Sequence, residues 1–113
     1  ISYYRNYLFE NFMKYLIVGL GKSGLAAYDL LKGEQHDVVG TDQNPQVLQN
    51  CLKAGKQVDS QPNLDLFDVI IISPGILPTN PLYQEAIKKN KIILFSLSFI
   101  TARPQKISAT KPI

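Results

Sequence analysis

The feature that most constrains the fold is a glycine-rich turn between an apolar run and a helical pattern. The segment "LIVGLGKSGLAAYDLL", residues 16–31, contains Gly19, Gly21 and Gly24 at the spacing G-x-G-x-x-G. A short apolar run bounded by glycine is typical of a buried β-strand, and the apolar spacing that follows Ser23 indicates a helix with Ser23 near its N-cap. Glycines at such a turn let a phosphate approach backbone N–H groups at the positive end of the helix. The turn therefore predicts an α/β fold with a phosphate-bearing ligand.

The alternation of strands and helices continues along the chain. Three further strands are predicted over 37–42, 67–73 and 91–96, with a short one over "KQVDS", residues 56–60. Helices are predicted over 45–55 and 80–90, because each segment starts with proline in its first turn and ends at glycine or asparagine. Apolar strands separated by such helices indicate βαβ units. The pattern predicts a doubly wound, Rossmann-like parallel sheet of about five strands with helices on both faces.

The domain organisation follows from the position of the first strand. The whole chain has 113 residues, a length that fits one domain. Residues 1–12 precede the only methionine, Met13, and we expect them to be an N-terminal extension outside the fold, the alternative being a short helix that packs its aromatic side chains onto the domain. We expect residues 13–96 to form the α/β domain and residues 97–113 to form a divergent C-terminal tail.

Composition and charge argue against several partners. The formal net charge of +3 comes from Arg103, Lys106 and Lys111 in the tail, and because nucleic-acid binders carry basic residues on a folded face, we expect no nucleic-acid partner. No apolar run approaches the roughly 18–20 residues of a membrane span, so we expect no membrane partner. With a single cysteine, Cys51, and a single histidine, His36, we expect no metal site and a cytoplasmic location.

Two further loops are predicted to join the glycine turn. Asp42 ends the second strand, 21 residues after Gly21, and Ser73, Pro74 and Gly75 follow a later strand. An acid at the place of Asp42 accepts a hydrogen bond from a ribose hydroxyl in dinucleotide folds, and it could equally accept from the imide N–H of uracil or cap the next helix. Because the carboxyl ends of parallel strands meet at one sheet edge, we expect the three loops to form one site.

From Lys14 to Ser96 the chain resembles the N-terminal domain of the Mur ligases, ATP-dependent amide ligases of peptidoglycan biosynthesis. The resemblance is carried by "LIVGLGKSGLAAYDLL", "VVGTD" and "DVIIISPGILPTNPLYQEAIKKNKIILFS". It is strongest to the members that add D-glutamate. It implies that this domain binds the uridine diphosphate (UDP) part of the small-molecule substrate UDP-MurNAc-L-alanine.

The resemblance also implies the residues that bind the UDP moiety. They belong to the glycine turn, the acidic strand end and the third loop: Gly19, Gly21, Lys22, Ser23, Gly24, Asp42, Gln43, Ser73, Pro74 and Gly75. Within this set, Lys22 and Ser23 would line the uracil and diphosphate pocket. Asp42 and Gln43 would bind the uracil and ribose edge, although some members have a basic residue at the position of Gln43. No catalytic residue or metal ligand is implied within this chain.

The C-terminal segment departs from the family pattern. In the family, the last strand leads into an acidic segment and then the ATP-binding loop, whereas this chain has "SLSFITARPQKISATKPI". No G-x-x-x-x-G-K-[ST] sequence is present. The resemblance implies ATP and Mg²⁺ as cofactors of the full-length enzyme, with neither bound by this chain. We therefore expect a truncated or frame-shifted ligase that is monomeric and inactive on its own.

Two other functions remain open from the residues alone. The glycine turn and Asp42 are also compatible with an NAD(P)-binding oxidoreductase domain, although His36 is predicted to lie at the opposite sheet edge from the glycines. A nucleotide-sensing module that dimerises through its aromatic N-terminal segment is the non-enzymatic alternative. Titration with uridine ligands and with NADH separates these possibilities.

Overall fold

The computed structural model of the chain describes residues 13–96, which form a parallel four-stranded sheet with helices on both faces. In chain order the elements are β1 (Lys14–Val18), α1 (Lys22–Gly33), β2 (Asp37–Thr41), α2 (Pro45–Lys53), a 3₁₀ turn (Leu64–Leu66), β3 (Val69–Ile72), α3 (Pro81–Lys88) and β4 (Ile92–Phe95). The strand order is β2-β1-β3-β4, and all neighbours are parallel. The predictions made for residues 1–12 and 97–113 lie outside the described residues. The predicted fold class is confirmed.

The strand predicted over 56–60 is wrong, because the segment forms only one bridge. Val58 pairs with Gly40 of β2, and the Gly40 N–H donates to the Gln57 carbonyl over 2.9 Å. Gly55, with a φ of 86°, turns the chain just before this contact. Asp59 turns it just after, because its carboxylate accepts a hydrogen bond from a backbone N–H two residues on. The extended segment between these turns is too short to be a fifth strand.

The centre of the sheet is apolar on both faces. In β1, Leu16 and Ile17 are fully buried, and all four residues of β3 are buried as well. One face packs against α1 and α2 through a cluster that includes Ile17 and Leu31. The opposite face packs against α3 through a cluster that includes Leu16 and Ala86. Continuous apolar strands are the expected consequence of covering both faces of a parallel sheet.

The helices begin in two different ways. Asn44 and Asn80 cap α2 and α3, since each side-chain oxygen accepts a hydrogen bond from a backbone N–H in the first turn. The helix α1 instead has Gly21 at its N-cap, with no side-chain hydrogen bond there. Ser23, which was predicted to lie near this cap, is two residues after it, and its hydroxyl lies 2.7 Å from the Ser96 hydroxyl. The first turn of α1 therefore keeps its backbone N–H groups without a side-chain cap.

The strand β4 lies at one edge of the described sheet. Ile92 and Phe95 are about half exposed. Phe95 makes an edge-to-face contact with Tyr83 of α3, with the ring centroids 6.2 Å apart. Within residues 13–96, no helix is both long and apolar enough to cross a membrane.

Candidate functional site

Three loops meet at the carboxyl edge of the sheet and are joined by hydrogen bonds. The Gly19 N–H donates to the Thr41 carbonyl over 2.9 Å, which joins the loops after β1 and β2. The Ser73 N–H donates to the Val18 carbonyl over 3.0 Å, which joins β1 to the loop after β3. The buried Ser73 hydroxyl also donates to the Gly19 carbonyl over 2.6 Å. These bonds hold the loops after β1, β2 and β3 in one arrangement.

The three glycines of the turn have different roles. Gly19 has a φ of 97°, a conformation that side chains disfavour, and a Cβ there would lie 2.9 Å from the Ser73 Cβ. A Cβ on Gly24 would lie only 1.9 Å from the Gly19 carbonyl oxygen, so the helix can approach the turn this closely only with glycine. Gly21 is exposed, and a Cβ on it would meet nothing within 4 Å. Close packing thus requires glycine at positions 19 and 24, whereas the space beside Gly21 is open.

Asp42 connects two of the loops through its carboxylate. Its Oδ2 accepts a hydrogen bond from the Leu20 N–H over 2.8 Å, and its Oδ1 accepts one from the Asn44 N–H over 2.9 Å. Asp42 therefore does not cap α2, since Asn44 fills that position. A carboxylate has about four acceptor sites, so the two recorded bonds leave capacity for a ligand N–H or O–H.

A crevice lies between these loops and the start of α3. Its inner part is a cavity of about 190 Å³ lined by Val18, Gly19, Thr41, Asp42, Gln43, Ser60, Ile76, Asn80, Pro81 and Leu82. This volume is below the roughly 300–1,000 Å³ of pockets for drug-sized ligands, so it suits a single ring. A more open depression of about 300 Å³ adjoins it and includes Gly75 and Leu77. The two spaces share Gln43, Ile76, Asn80 and Pro81 and form one continuous crevice.

The structure divides the site residues predicted from the sequence into four groups. Gly19, Asp42 and Gln43 line the cavity and Gly75 lines the adjoining depression. Exposed positions are held by Gly21, Lys22 and Pro74, whereas Gly24 and Ser73 are buried in packing. Ser23 is directed to Ser96 and lines neither space.

Three cavity-lining polar residues were missed by the sequence reasoning. Ser60 was treated only as the last residue of the strand predicted over 56–60, and Thr41 only as part of the second strand. Asn80 had a usable signal, because an asparagine directly before a helix-starting proline is a strong N-cap candidate. The fold brings this cap to the crevice, and sequence spacing alone does not show that placement.

The titratable groups with shifted pKa values lie outside the crevice lining. Burial raises the pKa of the Cys51 thiol on α2, with the opposing effect of the Lys56 ammonium and a further rise from Asp42. The pKa of Lys56 is raised mainly by its hydrogen bond to Asp29 on α1. Among residues 13–96, no group of three His, Cys, Asp or Glu side chains is arranged to hold a metal ion. The crevice thus offers hydrogen-bonding groups and apolar walls for ligand binding.

The fold and the crevice together define a Rossmann-like domain with a candidate ligand site at the carboxyl edge of a parallel sheet. Residues 13–95 match the family model described as "Mur ligase MurD-like, N-terminal domain". The chain belongs to this family, and the resemblance seen in the sequence is confirmed.

Curated relatives and a solved structure give the same result. The UDP-N-acetylmuramoylalanine–D-glutamate ligase of Aquifex aeolicus is 37% identical over 87 residues, covering 75% of this chain and 18% of the relative. The ligase of the same name from Hydrogenobaculum sp. is 36% identical over 83 residues, covering 73% and 18%. The chain therefore spans about a fifth of the length of these relatives. The crystal structure of UDP-N-acetylmuramate–alanine ligase (MurC) from Thermotoga maritima aligns with a TM-score of 0.65 at 23% identity, covering 83% of this chain and 24% of that one, and it shows the shared fold.

Proposed function

We propose that this domain binds the UDP part of UDP-MurNAc-L-alanine for a D-glutamate-adding, ATP-dependent amide ligase of peptidoglycan biosynthesis. The observation that carries the proposal is the crevice at the carboxyl edge, with Asp42 held between two loops and acceptor sites to spare. The names of the curated relatives supply the substrate class. On this proposal the ligase works in the cytoplasm and the domain is monomeric.

The crevice has the parts that a uridine diphosphate requires. Its cavity has apolar walls from Val18, Ile76 and Leu82, which suit the faces of a flat ring, and it has an acceptor in Asp42. The uncapped first turn of α1 begins at Gly21, where backbone N–H groups and the helix dipole favour a negative group. The proposal therefore assigns the base to the cavity and the diphosphate to the turn.

Calorimetric titration of the chain with uridine monophosphate (UMP) tests the role of Asp42. We expect Asp42→Ala to weaken UMP binding by about 1–3 kcal/mol, because a hydrogen bond to a charged acceptor is lost. Asp68→Ala is the matched control, since the Asp68 carboxylate accepts a hydrogen bond from the Lys14 N–H over 2.9 Å at the opposite end of β1. It should lower the free energy of unfolding without changing UMP affinity. Equal affinities of Asp42→Ala and the unmodified chain would place the base elsewhere.

Titrations with three ligands test the ligand class itself. UDP-MurNAc-L-alanine and UMP should both bind, with the larger ligand binding more tightly because it adds contacts in the open depression. NADH should not bind, because the proposal assigns the cavity to a uracil base, which NADH lacks. Binding of NADH with no response to uridine ligands would overturn the proposal in favour of an oxidoreductase domain.

The chemical steps of the ligase are assigned to parts beyond this domain. The residues present do not fit an ATP-phosphate site, because the sequence has no phosphate-binding loop of the form G-x-x-x-x-G-K-[ST]. We accordingly propose that the chain alone neither hydrolyses ATP nor forms an amide. A phosphate-release assay with ATP, Mg²⁺, UDP-MurNAc-L-alanine and D-glutamate should stay at the level of a protein-free blank, and turnover above that level would contradict this assignment.

A further inference from the structure

The hydroxyl of Thr41 is a buried polar group for which residues 13–96 provide no recorded hydrogen-bond partner. Thr41 is only 3% exposed, and its backbone carbonyl accepts the Gly19 N–H. The structure records no hydrogen bond between its side-chain hydroxyl and any described residue. A buried hydroxyl without a partner costs about 1–3 kcal/mol, and such groups are uncommon in folded proteins. A molecule that enters the cavity can supply the missing partner.

The position of Thr41 on β2 places its side chain at the cavity. Side chains two residues apart on a strand share a face of the sheet. Val39, two residues earlier, packs in the cluster on the α3 face, so the Thr41 side chain lies on that face too. The cavity between β2 and α3 is on the same face, and Thr41 lines it.

Asn80 provides a second donor on the opposite wall. Its Oδ1 accepts hydrogen bonds from the Leu82 N–H over 2.8 Å and the Tyr83 N–H over 3.2 Å. These two donors fix the orientation of the amide, because only the oxygen can accept from them. The Nδ2 group is then a donor for which the structure records no acceptor among the described residues. Asn80 lines both the cavity and the adjoining depression.

The cavity thus offers two donors without a recorded acceptor among the described residues and one acceptor that can take further hydrogen bonds. The donors are Thr41 Oγ1 and Asn80 Nδ2, and the acceptor is the Asp42 carboxylate. The edge of a uracil ring presents the complementary set, namely two carbonyl oxygens that accept and one imide N–H that donates. The edge of cytosine replaces one carbonyl by an amine and the imide by a bare ring nitrogen, and it therefore mismatches this set.

We propose that Thr41 and Asn80 determine base specificity by donating hydrogen bonds to the two ring carbonyls while Asp42 accepts the imide N–H. This inference rests on the proposed function and adds two residues that the family resemblance does not assign in this chain. The buried Thr41 hydroxyl is a specificity device that is satisfied only when the base is bound.

Two conservative substitutions test the proposal without removing structural contacts. Thr41→Val keeps the shape of the side chain and removes only the hydroxyl. Asn80→Asp keeps an oxygen to cap α3, because aspartate is an equally good N-cap, and removes the amide donor. Asn63→Asp is the matched control for Asn80→Asp, because Asn63 caps the distant 3₁₀ turn in the same manner.

NMR-detected titration with UDP and with inorganic pyrophosphate provides the readout. We expect each cavity variant to bind UDP about tenfold more weakly, the effect of losing one hydrogen bond. The ratio of UDP affinity to pyrophosphate affinity should fall by the same factor, because pyrophosphate has no base. This ratio also cancels the extra negative charge of Asn80→Asp. Urea unfolding should show that Thr41→Val without ligand is at least as stable as the unmodified chain, since an unsatisfied group is removed.

The outcomes separate this inference from the proposed function. Unchanged UDP affinity in both variants, or an equal loss for UDP and pyrophosphate, overturns the specificity role while UDP binding by the unmodified chain still supports the proposed function. An unmodified chain that binds no UDP overturns both. A loss of stability in Thr41→Val that accounts for its weaker binding also overturns the inference, because the hydroxyl would then be structural.

Discussion

At the residue scale, the site depends on backbone atoms that approach each other too closely for side chains. The sequence shows three glycines at a strand-to-helix turn, but spacing alone does not distinguish a glycine that packs from one that faces a ligand. In the structure the Gly19 carbonyl makes two contacts. It accepts a hydrogen bond from the Ser73 hydroxyl, and it lies against Gly24. The same turn therefore holds the loop after β3 and the first turn of α1.

Replacement of Gly24 tests how tightly this turn is packed. We expect Gly24→Ala to reduce the free energy of unfolding by about 3 kcal/mol, the upper end for overpacked sites, because the new Cβ would lie 1.9 Å from a backbone oxygen. Gly33→Ala, at the end of the same helix, should be neutral or stabilising by up to about 1 kcal/mol, since a Cβ there meets nothing within 4 Å. Urea unfolding of both variants measures the difference. Equal effects would mean that the turn relaxes around the added methyl group.

The sequence predicted where Asp42 would lie, but not what holds it. The strand pattern placed the acid at the end of β2, and the structure puts it in the cavity lining. Its two backbone partners, Leu20 and Asn44, come from different loops, and the contact to Leu20 spans 22 residues. Such a contact depends on how the strands align in the sheet. Thr41 and Asn80 escaped prediction for the same reason, because only the packed sheet brings β2 opposite the start of α3.

At the scale of elements, local sequence signals predicted the helices correctly, but they wrongly predicted a fifth strand over residues 56–60. Proline in the first turn and a capping asparagine marked α2 and α3 correctly, because these interactions are made within a few residues. The segment 56–60 has strand-like residues, yet it pairs only through Val58. Whether such a segment becomes a strand depends on partners far away in the chain. In α3, Ala86 occupies the buried position and Ile87 is half exposed.

Alkaline pH should weaken the contact between α1 and the segment that follows α2. The Lys56 ammonium lies 2.9 Å from an Asp29 oxygen and over the Tyr28 ring, and the hydrogen bond raises the pKa of Lys56 above its usual 10.5. Burial raises the pKa of Cys51 above its usual 9.0. A group with a raised pKa in the folded state binds more protons there than in the unfolded state, so stability is complete below the unfolded pKa and falls as pH rises. We expect the free energy of unfolding to decrease above about pH 9 as Cys51 loses its proton, and to decrease further above about pH 10.5 as Lys56 loses its proton.

Two variants check the origin of this decrease by urea unfolding across the same pH range. Lys56→Met should lower stability at pH 8 and flatten the decrease above about pH 10.5, because the ammonium is no longer there to lose its proton. Lys53→Met changes an exposed lysine at the end of α2 for which the structure records no ion pair among residues 13–96. Its pH dependence should match that of the unmodified chain, and a similar flattening would assign the effect to general charge instead.

At the scale of the whole molecule, the strand order explains why three distant segments form one site. The chain moves from β1 outward to β2 and then returns past β1 to β3, so the loops after these strands open toward the same edge on either side of the reversal. Parallel sheets of this type bind ligands at that reversal point. The alternation of apolar strands and helices along the chain was enough to predict this architecture and the carboxyl edge at which the loops meet. The exact cavity lining was not predictable, because it depends on how far α3 lies from β2.

If the crevice binds a ligand as proposed, the central position of β1 couples that binding to the entire sheet. The loops that line the crevice are bonded to β1 through Thr41 and Ser73, and β1 pairs with both β2 and β3. Amides at the centre of a sheet exchange with solvent only when the domain unfolds, whereas amides at an edge exchange through local opening. A ligand that binds only the folded state therefore slows exchange most strongly at the centre.

Hydrogen exchange in the presence of UDP tests this coupling. At UDP concentrations 100-fold above its dissociation constant, we expect exchange of the β1 amides of Ile17 and Val18 to slow by about 100-fold, equivalent to about 2.7 kcal/mol. The amides of β4, at the exposed edge, should slow less because local opening there does not require the ligand to leave. The same experiment with NADH should change neither set. Slowing confined to the loop residues, with β1 unaffected, would show that UDP binds without linkage to the folding of the sheet.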